Sequence, residues 1–260
     1  MTGRGNGGGA LEPVREGEWA VVSAAPPPRD QAVHVWRVEL DSAESRVRTL
    51  RELLSEDESL RADRFVFPHD RDRFIVARGA LRVILGRYLG RRPEQLRFHY
   101  TAFGKPMLAD LPQAFPLQFN VSHSRGVALV GVRCGGSIGV DVEYIRPDLA
   151  WEGLAEQVFT EVERAMLRAY PTEARRTAFF RAWTLKEAVI KAHGAGLSLP
   201  LDTFDVVLVA GQAPRLLRLA GDPAGPARWS LHELSVGVGY AGALAVEGPI
   251  REVKRWSWVP

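Results

Sequence analysis

Cysteine is almost absent: Cys134 is the only one in 260 residues. A lone thiol excludes an internal disulfide and any multi-cysteine metal site, and it suits a reducing compartment. Long apolar runs are missing as well, so no segment reaches the length of a transmembrane helix. The opening "MTGRGNGGGA" has no apolar core and is not a signal peptide. These absences predict a cytoplasmic chain without a membrane partner. Lysine is the more telling scarcity. Of 34 basic residues only Lys105, Lys186, Lys191 and Lys254 are lysine. Where arginine serves as the generic positive charge, a retained lysine marks a site that needs a compact, rotatable ammonium. Three of the four lie in the motifs below.

What is present is otherwise ordinary for a soluble globular protein: 46% hydrophobic and 25% charged residues, enough chain for one large domain or two lobes. The net charge of +3 is small but uneven, because residues 61–100 hold ten arginines against Asp63, Asp70, Asp72 and Glu94. Such a block fits a polyanionic partner (nucleic acid, or a small molecule with several phosphates) and equally a solvated helix face.

Residues 1–30 read as a flexible Gly/Pro-rich leader. "AVHVWRVEL" alternates as a strand, Ser55 is a candidate N-cap, and a helix over about 70–89 closes at Gly90. "LRFHYTAFGKPML" reads as strand and turn, and "LQFNVSHSRGVALVGV" as a pair of strands. Helical segments near 151–169 and 173–193 follow, then strands around 203–210, 214–219, 228–234 and 240–246. This mixture, without regular βαβ alternation, predicts an α+β fold.

Three stretches carry chemistry. In "IGVDVEYI", strand alternation puts Ile138, Val140, Val142 and Tyr144 on one face. Asp141 and Glu143 then share the other, roughly 7 Å apart. In "FFRAWTLKEAVIKAHGAG", a helical wheel places Phe179, Phe180, Trp183, Lys186, Glu187, Ile190 and Lys191 within an arc of roughly 140°. A surface Glu187–Lys191 pair does not account for Trp183 and Lys186 on that face. In "FNVSHS", Ser122 and His123 are neighbours and cannot face each other as nucleophile and base, and there is no "GxSxG" elbow. A serine–histidine–serine turn suits phosphate oxygens better.

In order and spacing, "FGKP", "FNVSHS", "IGVDVE" and "WTLKEAVIKAHGAGLSLPL" resemble the 4′-phosphopantetheinyl transferases over residues 55–205. The similarity is to the larger single-chain type that activates secondary-metabolite carrier proteins. It implies a pseudo-dimer of two similar α+β lobes, expected at 31–137 and 138–260, acting as a monomer. It implies transfer of the 4′-phosphopantetheine arm of coenzyme A to a serine of apo acyl or peptidyl carrier proteins of polyketide, non-ribosomal peptide or fatty-acid synthases. The by-product is adenosine 3′,5′-bisphosphate. By the same resemblance Asp141, Glu143 and Glu187 bind Mg²⁺, and Lys186 and Lys191 meet the phosphates of coenzyme A. Glu187 is then base, metal ligand or both. Ser122 and His123, Arg61 and Arg64, and Arg73 and Arg78 are implied as further phosphate contacts. Gly104, Lys105 and Pro106 would lie beside the adenine. Arg61 departs from the lysine that many relatives carry. Two other classes could use parts of the pattern: a basic nucleic-acid-binding protein, or a Mg²⁺-dependent nucleotide phosphohydrolase.

Overall fold

The computed structural model describes residues 19–22, 26, 28–29, 31–111, 116–194, 199–207, 209 and 212–259. Two helices of 22 residues each organise it: α3 (Pro68–Leu89) and α6 (Thr172–His193). Pro68 opens α3 at its first position, where a missing N–H leaves nothing unpaired. Both helices stop at a left-handed glycine, Gly90 (φ 60°) and Gly194 (φ 78°), as a helix C-terminus favours.

The two halves of the chain are built alike. After a short β1 (Ala20–Val22), the first half runs β2 (Ala32–Glu39), α1 (Glu44–Arg51), α2 (Glu56–Ala62) and α3. A small hairpin, β3 (Phe98–Tyr100) and β4 (Pro106–Leu108), leads to β5 (Leu117–Ser124) and β6 (Val127–Cys134). The second half repeats this with β7 (Ile138–Tyr144), α4 (Trp151–Val158), α5 (Glu161–Ala169) and α6. Then come the hairpin β8 (Phe204–Val207)–β9 (Arg215–Leu219), α7 (Gly225–Arg228), β10 (Trp229–Glu233) and β11 (Tyr240–Glu247). The strand orders match too: β2-β6-β5 in one sheet, β7-β11-β10 in the other, all antiparallel. This is the expected α+β pair of similar lobes.

Three expectations need correction. Ala20–Val22 is a strand although it falls in the expected leader, whose residues 1–18 lie outside the described residues. The last strand, β12 (Glu252–Trp258), does not stay in the second lobe. It inserts between β1 and β2, parallel to both, and so belongs to the first lobe's sheet. The expected helix over 151–169 is two helices, because Thr160 starts a new capping box with Glu163.

Three apolar cores stack through the molecule. One lies between α3 and its sheet (Trp36, Ile84, Leu85, Val130), and one between α6 and its sheet (Phe179, Leu185, Ala243, Ala245). The third joins the sheets face to face through Val33, Val35, Leu129, Val140, Val142 and Leu244. On the other face of β7, Gly139 lies against α6: a Cβ there would sit 2.0 Å from the Ala188 carbonyl oxygen. That close approach presses the acidic strand onto the lysine-bearing helix.

The sheets also meet edge-on. An edge strand leaves alternate N–H groups unpaired, and β5 supplies side chains to those of β7. Val140 N–H donates to Asn120 Oδ1 (2.9 Å), Val142 N–H to Ser122 Oγ (3.3 Å) and Tyr144 N–H to Ser124 Oγ (3.0 Å).

Candidate active site

Asp141 and Glu143 share the face of β7 turned toward α6, as alternation predicts. Asp141 is buried. Its Oδ1 accepts from Ser122 Oγ (2.7 Å) and Lys191 Nζ (2.5 Å), while Oδ2 is buried with no hydrogen-bond partner. Glu143 Oε2 accepts from Ser124 Oγ at 2.8 Å. Burial, then the Asp141 charge, pushes the Glu143 pKa above its usual range despite that hydrogen bond. Glu187, on α6, faces the same two acids. Burial, then Asp141 and Glu143, raises its pKa, and Lys191 offsets this only in part. Three like charges around one ammonium make a site short of positive charge.

Two adjoining hollows open beside these acids. One, about 490 Å³, is lined by Gly104, Lys105, Pro106, Glu187 and Lys191. The other, about 470 Å³, shares Gly104, Pro106 and Val121 with it and is lined by Arg61, Arg73, Arg78, His123 and Arg125. Glu187 and two lysines thus meet on one side of the cleft, and the other side is strongly basic. His123 is exposed within it. The crowding of the cleft walls, then Lys191 and Arg61, holds its imidazole pKa below the ordinary value.

Several expected contacts have other employment. Lys186 is fully buried in the second lobe and does not reach the cleft. Its ammonium donates to both Glu163 oxygens (2.7 Å each) and to the Phe204 carbonyl (2.8 Å), between the rings of Phe159 and Phe204. The predicted helical arc therefore spans two environments, Lys186 facing the core and Glu187 the cleft. Ser122 is likewise engaged within the protein: its hydroxyl accepts from Val142 N–H and Lys191 Nζ (2.9 Å) and donates to Asp141. Arg78 lines the basic hollow but is buried, with its guanidinium on Glu58 and the Tyr100 hydroxyl. Arg64 opens onto a neighbouring surface hollow with Asp57 and Leu60. Arg73 holds Asp41 at 2.7 Å. Lys105 turns its ammonium onto the Lys191 carbonyl (2.7 Å) at the end of α6, a favourable place for a cation.

Arg125 was not picked out by sequence reasoning. It lines the basic hollow, lies 3.8 Å from the centre of the Tyr144 ring, and adopts a left-handed φ of 49°. Gly126 follows because a Cβ there would come within 2.7 Å of Asp41 Oδ2. Ser124 and Asn120 were also missed, although the N-x-S-x-S alternation on a strand beside an acidic strand carries the signal.

The acids suit a divalent cation of the hard, oxygen-seeking kind. Asp141 Oδ2 is a buried carboxylate oxygen left without a partner, and burial, then the neighbouring carboxylate charge, disfavours Glu143 and Glu187 as anions. Among the described residues no three acids, histidines or cysteines already stand at metal-holding distance. An octahedral ion such as Mg²⁺ needs only one or two protein carboxylates, the rest of its shell being water and substrate phosphate.

An α+β fold of twinned lobes, with cation-ready acids facing a basic cleft, defines a protein that handles a phosphate-rich small molecule. Comparison with known proteins makes this specific. Residues 137–245 match the 4′-phosphopantetheinyl transferase superfamily, and residues 40–133 match the 4′-phosphopantetheinyl transferase N-terminal family. The chain is 42% identical over 226 residues to the 4′-phosphopantetheinyl transferase HetI of Nostoc sp., covering 87% of this chain and 92% of that one. With the 4′-phosphopantetheinyl transferase Sfp of Bacillus subtilis it shares 36% over 167 residues, 60% of this chain and 72% of that one. A holo-[acyl-carrier-protein] synthase from Thermotoga maritima overlaps 44% of this chain and 63% of its own, with 22% identity and a TM-score of 0.36. The chain belongs to the 4′-phosphopantetheinyl transferase superfamily of enzymes.

Proposed function

We propose that this enzyme transfers the 4′-phosphopantetheine arm of coenzyme A to a serine of apo carrier proteins, in a Mg²⁺-dependent reaction, as a monomer. The observation that carries the reading is the meeting of Asp141, Glu143, Glu187 and Lys191 at the edge of a basic cleft. Phosphoryl transfer asks a protein for alignment and charge neutralisation more than for covalent help. Arg61, His123 and Arg125 provide donors and positive charge for the nucleotide phosphates, with the Gly104–Pro106 turn beside them. Asp141, Glu143 and Glu187 would hold Mg²⁺, which polarises the pyrophosphate and stabilises the departing phosphate. Lys191 supplies a second positive charge at the same wall.

The carrier serine Oγ forms the new bond to phosphorus as the bond from that phosphorus to the bridging oxygen breaks. The serine proton passes to Glu187, whose raised pKa suits a proton acceptor, and adenosine 3′,5′-bisphosphate leaves. Carrier proteins of secondary-metabolite synthases are the proposed partners. Incubation with coenzyme A, Mg²⁺ and a panel of apo carrier proteins, read by intact mass, tests this. One added phosphopantetheine arm supports the reading. Breakdown of coenzyme A with no carrier gaining mass overturns it in favour of a phosphohydrolase.

A further inference from the structure

We infer that Ser122 and Ser124 are positioning residues for the Asp141–Glu143 pair, so that the β5–β7 seam, and not β7 alone, sets how the acids meet a cation. The inference rests on the proposed role of these acids as a cation site, and it assigns one and the same task to Ser122 and Ser124.

The argument starts from register. Asn120, Ser122 and Ser124 alternate along β5, and Val140, Val142 and Tyr144 alternate along β7, with one backbone N–H donating to each side chain. A hydroxyl has one proton and two lone pairs. Once a serine oxygen accepts an N–H from the strand edge, its own proton points elsewhere, and at both serines it points to a carboxylate. Ser122 donates to Asp141 Oδ1 at 2.7 Å, and Ser124 donates to Glu143 Oε2 at 2.8 Å. The same relay thus occurs twice, two residues apart on each strand, and each acid is held by a hydroxyl that the acid's own strand orients.

The consequence at Asp141 is specific. Ser122 and Lys191 both bind Oδ1, which leaves the buried Oδ2 as the oxygen presented to an incoming ion. At Glu143 one oxygen is fixed and the other is left free of Ser124. Groups that orient metal-binding carboxylates are worth about ten- to a hundred-fold in metal affinity. Alanine removes both halves of the relay, whereas threonine keeps the oxygen and its proton.

The test is Mn²⁺ binding to the full chain without coenzyme A, followed by electron paramagnetic resonance. Amide hydrogen exchange at Val142 and Tyr144 is measured alongside. Ser124 is only half-buried, so Ser124→Ala is the main variant, with Ser122→Ala as the harsher second. Ser124→Ala is expected to weaken Mn²⁺ binding by about ten- to a hundred-fold and to speed exchange at Tyr144. Ser124→Thr should restore both. Wild-type Mn²⁺ affinity in Ser124→Ala, or a loss that threonine does not restore, overturns the inference. Absence of Mn²⁺ binding in the wild type overturns it together with the cation site. Serine-dependent Mn²⁺ binding in a protein that modifies no carrier would overturn the proposed transfer and leave the positioning role standing.

Discussion

Replacing Lys186 by methionine separates stability from chemistry in the one motif helix. The ammonium makes three hydrogen bonds of 2.7–2.8 Å, two to Glu163 and one to the Phe204 carbonyl, with no solvent exposure on the lysine and 2% on its partner. Burial pushes Glu163 up and Lys186 down in pKa, against their mutual attraction, so the pair is held together at a cost. Removing one member leaves the other as an uncompensated charge, which costs roughly 3–5 kcal/mol. A domain's whole stability is about 5–15 kcal/mol. Lys186→Met should therefore lower the urea midpoint sharply while turnover per folded molecule stays near wild type. The double variant Glu163→Gln/Lys186→Met should regain much of the loss, since the glutamine oxygen still accepts from Val206 N–H or Thr160 N–H. Lys186→Arg should also destabilise, by about 1–3 kcal/mol, because a larger fork must fit between Phe159 and Phe204. The assay is urea unfolding beside transfer measured at 10 °C, where the weakened variants remain folded. A Lys186→Met protein as stable as wild type but without turnover would refute this reasoning and put Lys186 back at the substrate.

Asp141→Asn should abolish transfer while the protein stays folded, and a chelator should do the same to the wild type; undiminished transfer in excess chelator would remove the acids from the chemistry. His123→Ala and Arg61→Ala should weaken coenzyme A more than 3′-dephospho-coenzyme A by about 1.5–3 kcal/mol in calorimetry, the range of a charge-assisted contact, whereas equal losses would place both residues away from the 3′-phosphate. His34 is predicted to set part of the acid limb of stability. Burial, then Lys254, lowers its pKa from 6.5 to about 3, so the unfolded chain takes up a proton that the folded one refuses. Its contribution is full above pH 6.5 and declines by about 1.4 kcal/mol per unit as pH falls toward 3. His34→Gln should flatten that part of the curve in denaturant titrations from pH 7 to 3.5, and an unchanged slope would mean that His34 titrates normally.

The acidic strand was legible because a period of two is a local property. Ile138, Val140 and Val142 face the core between the sheets, while Asp141 and Glu143 face the cleft. The long helices were legible from their glycine stops. β12 was not: "EVKRWSW" is charged and short, and its place between β1 and β2 comes from parallel partners more than 200 residues away. The arginine block was read as either partner surface or solvated face, and part of it is neither. Arg78 and Arg82 grip Glu58 at 2.6 Å each, in the interior of the first lobe. Burial alone would raise the Glu58 pKa. The Arg82 hydrogen bond and the two guanidinium charges overcome this and hold it below its usual value.

The twinned lobes explain why one lysine of the motif is structural and the next is not. In the first lobe a capping-box glutamate, Glu58, is buried against Arg82, the fifteenth residue of α3. In the second, the capping-box glutamate Glu163 is buried against Lys186, the fifteenth residue of α6. Lys186 thus stands where its lobe's counterpart has an arginine doing the same internal work, a relation that no helical wheel of α6 alone reveals. One residue further on the lobes diverge: α3 has Val83 where α6 has Glu187. A glutamate aimed at the acidic strand therefore exists in one lobe and is replaced by an aliphatic side chain in the other. Duplicated architecture supplies two frames, but among the described residues the acids proposed to hold a cation gather in one of them. The expected stoichiometry is a single divalent cation at this site per chain, and titration to two equivalent Mn²⁺ ions would contradict it.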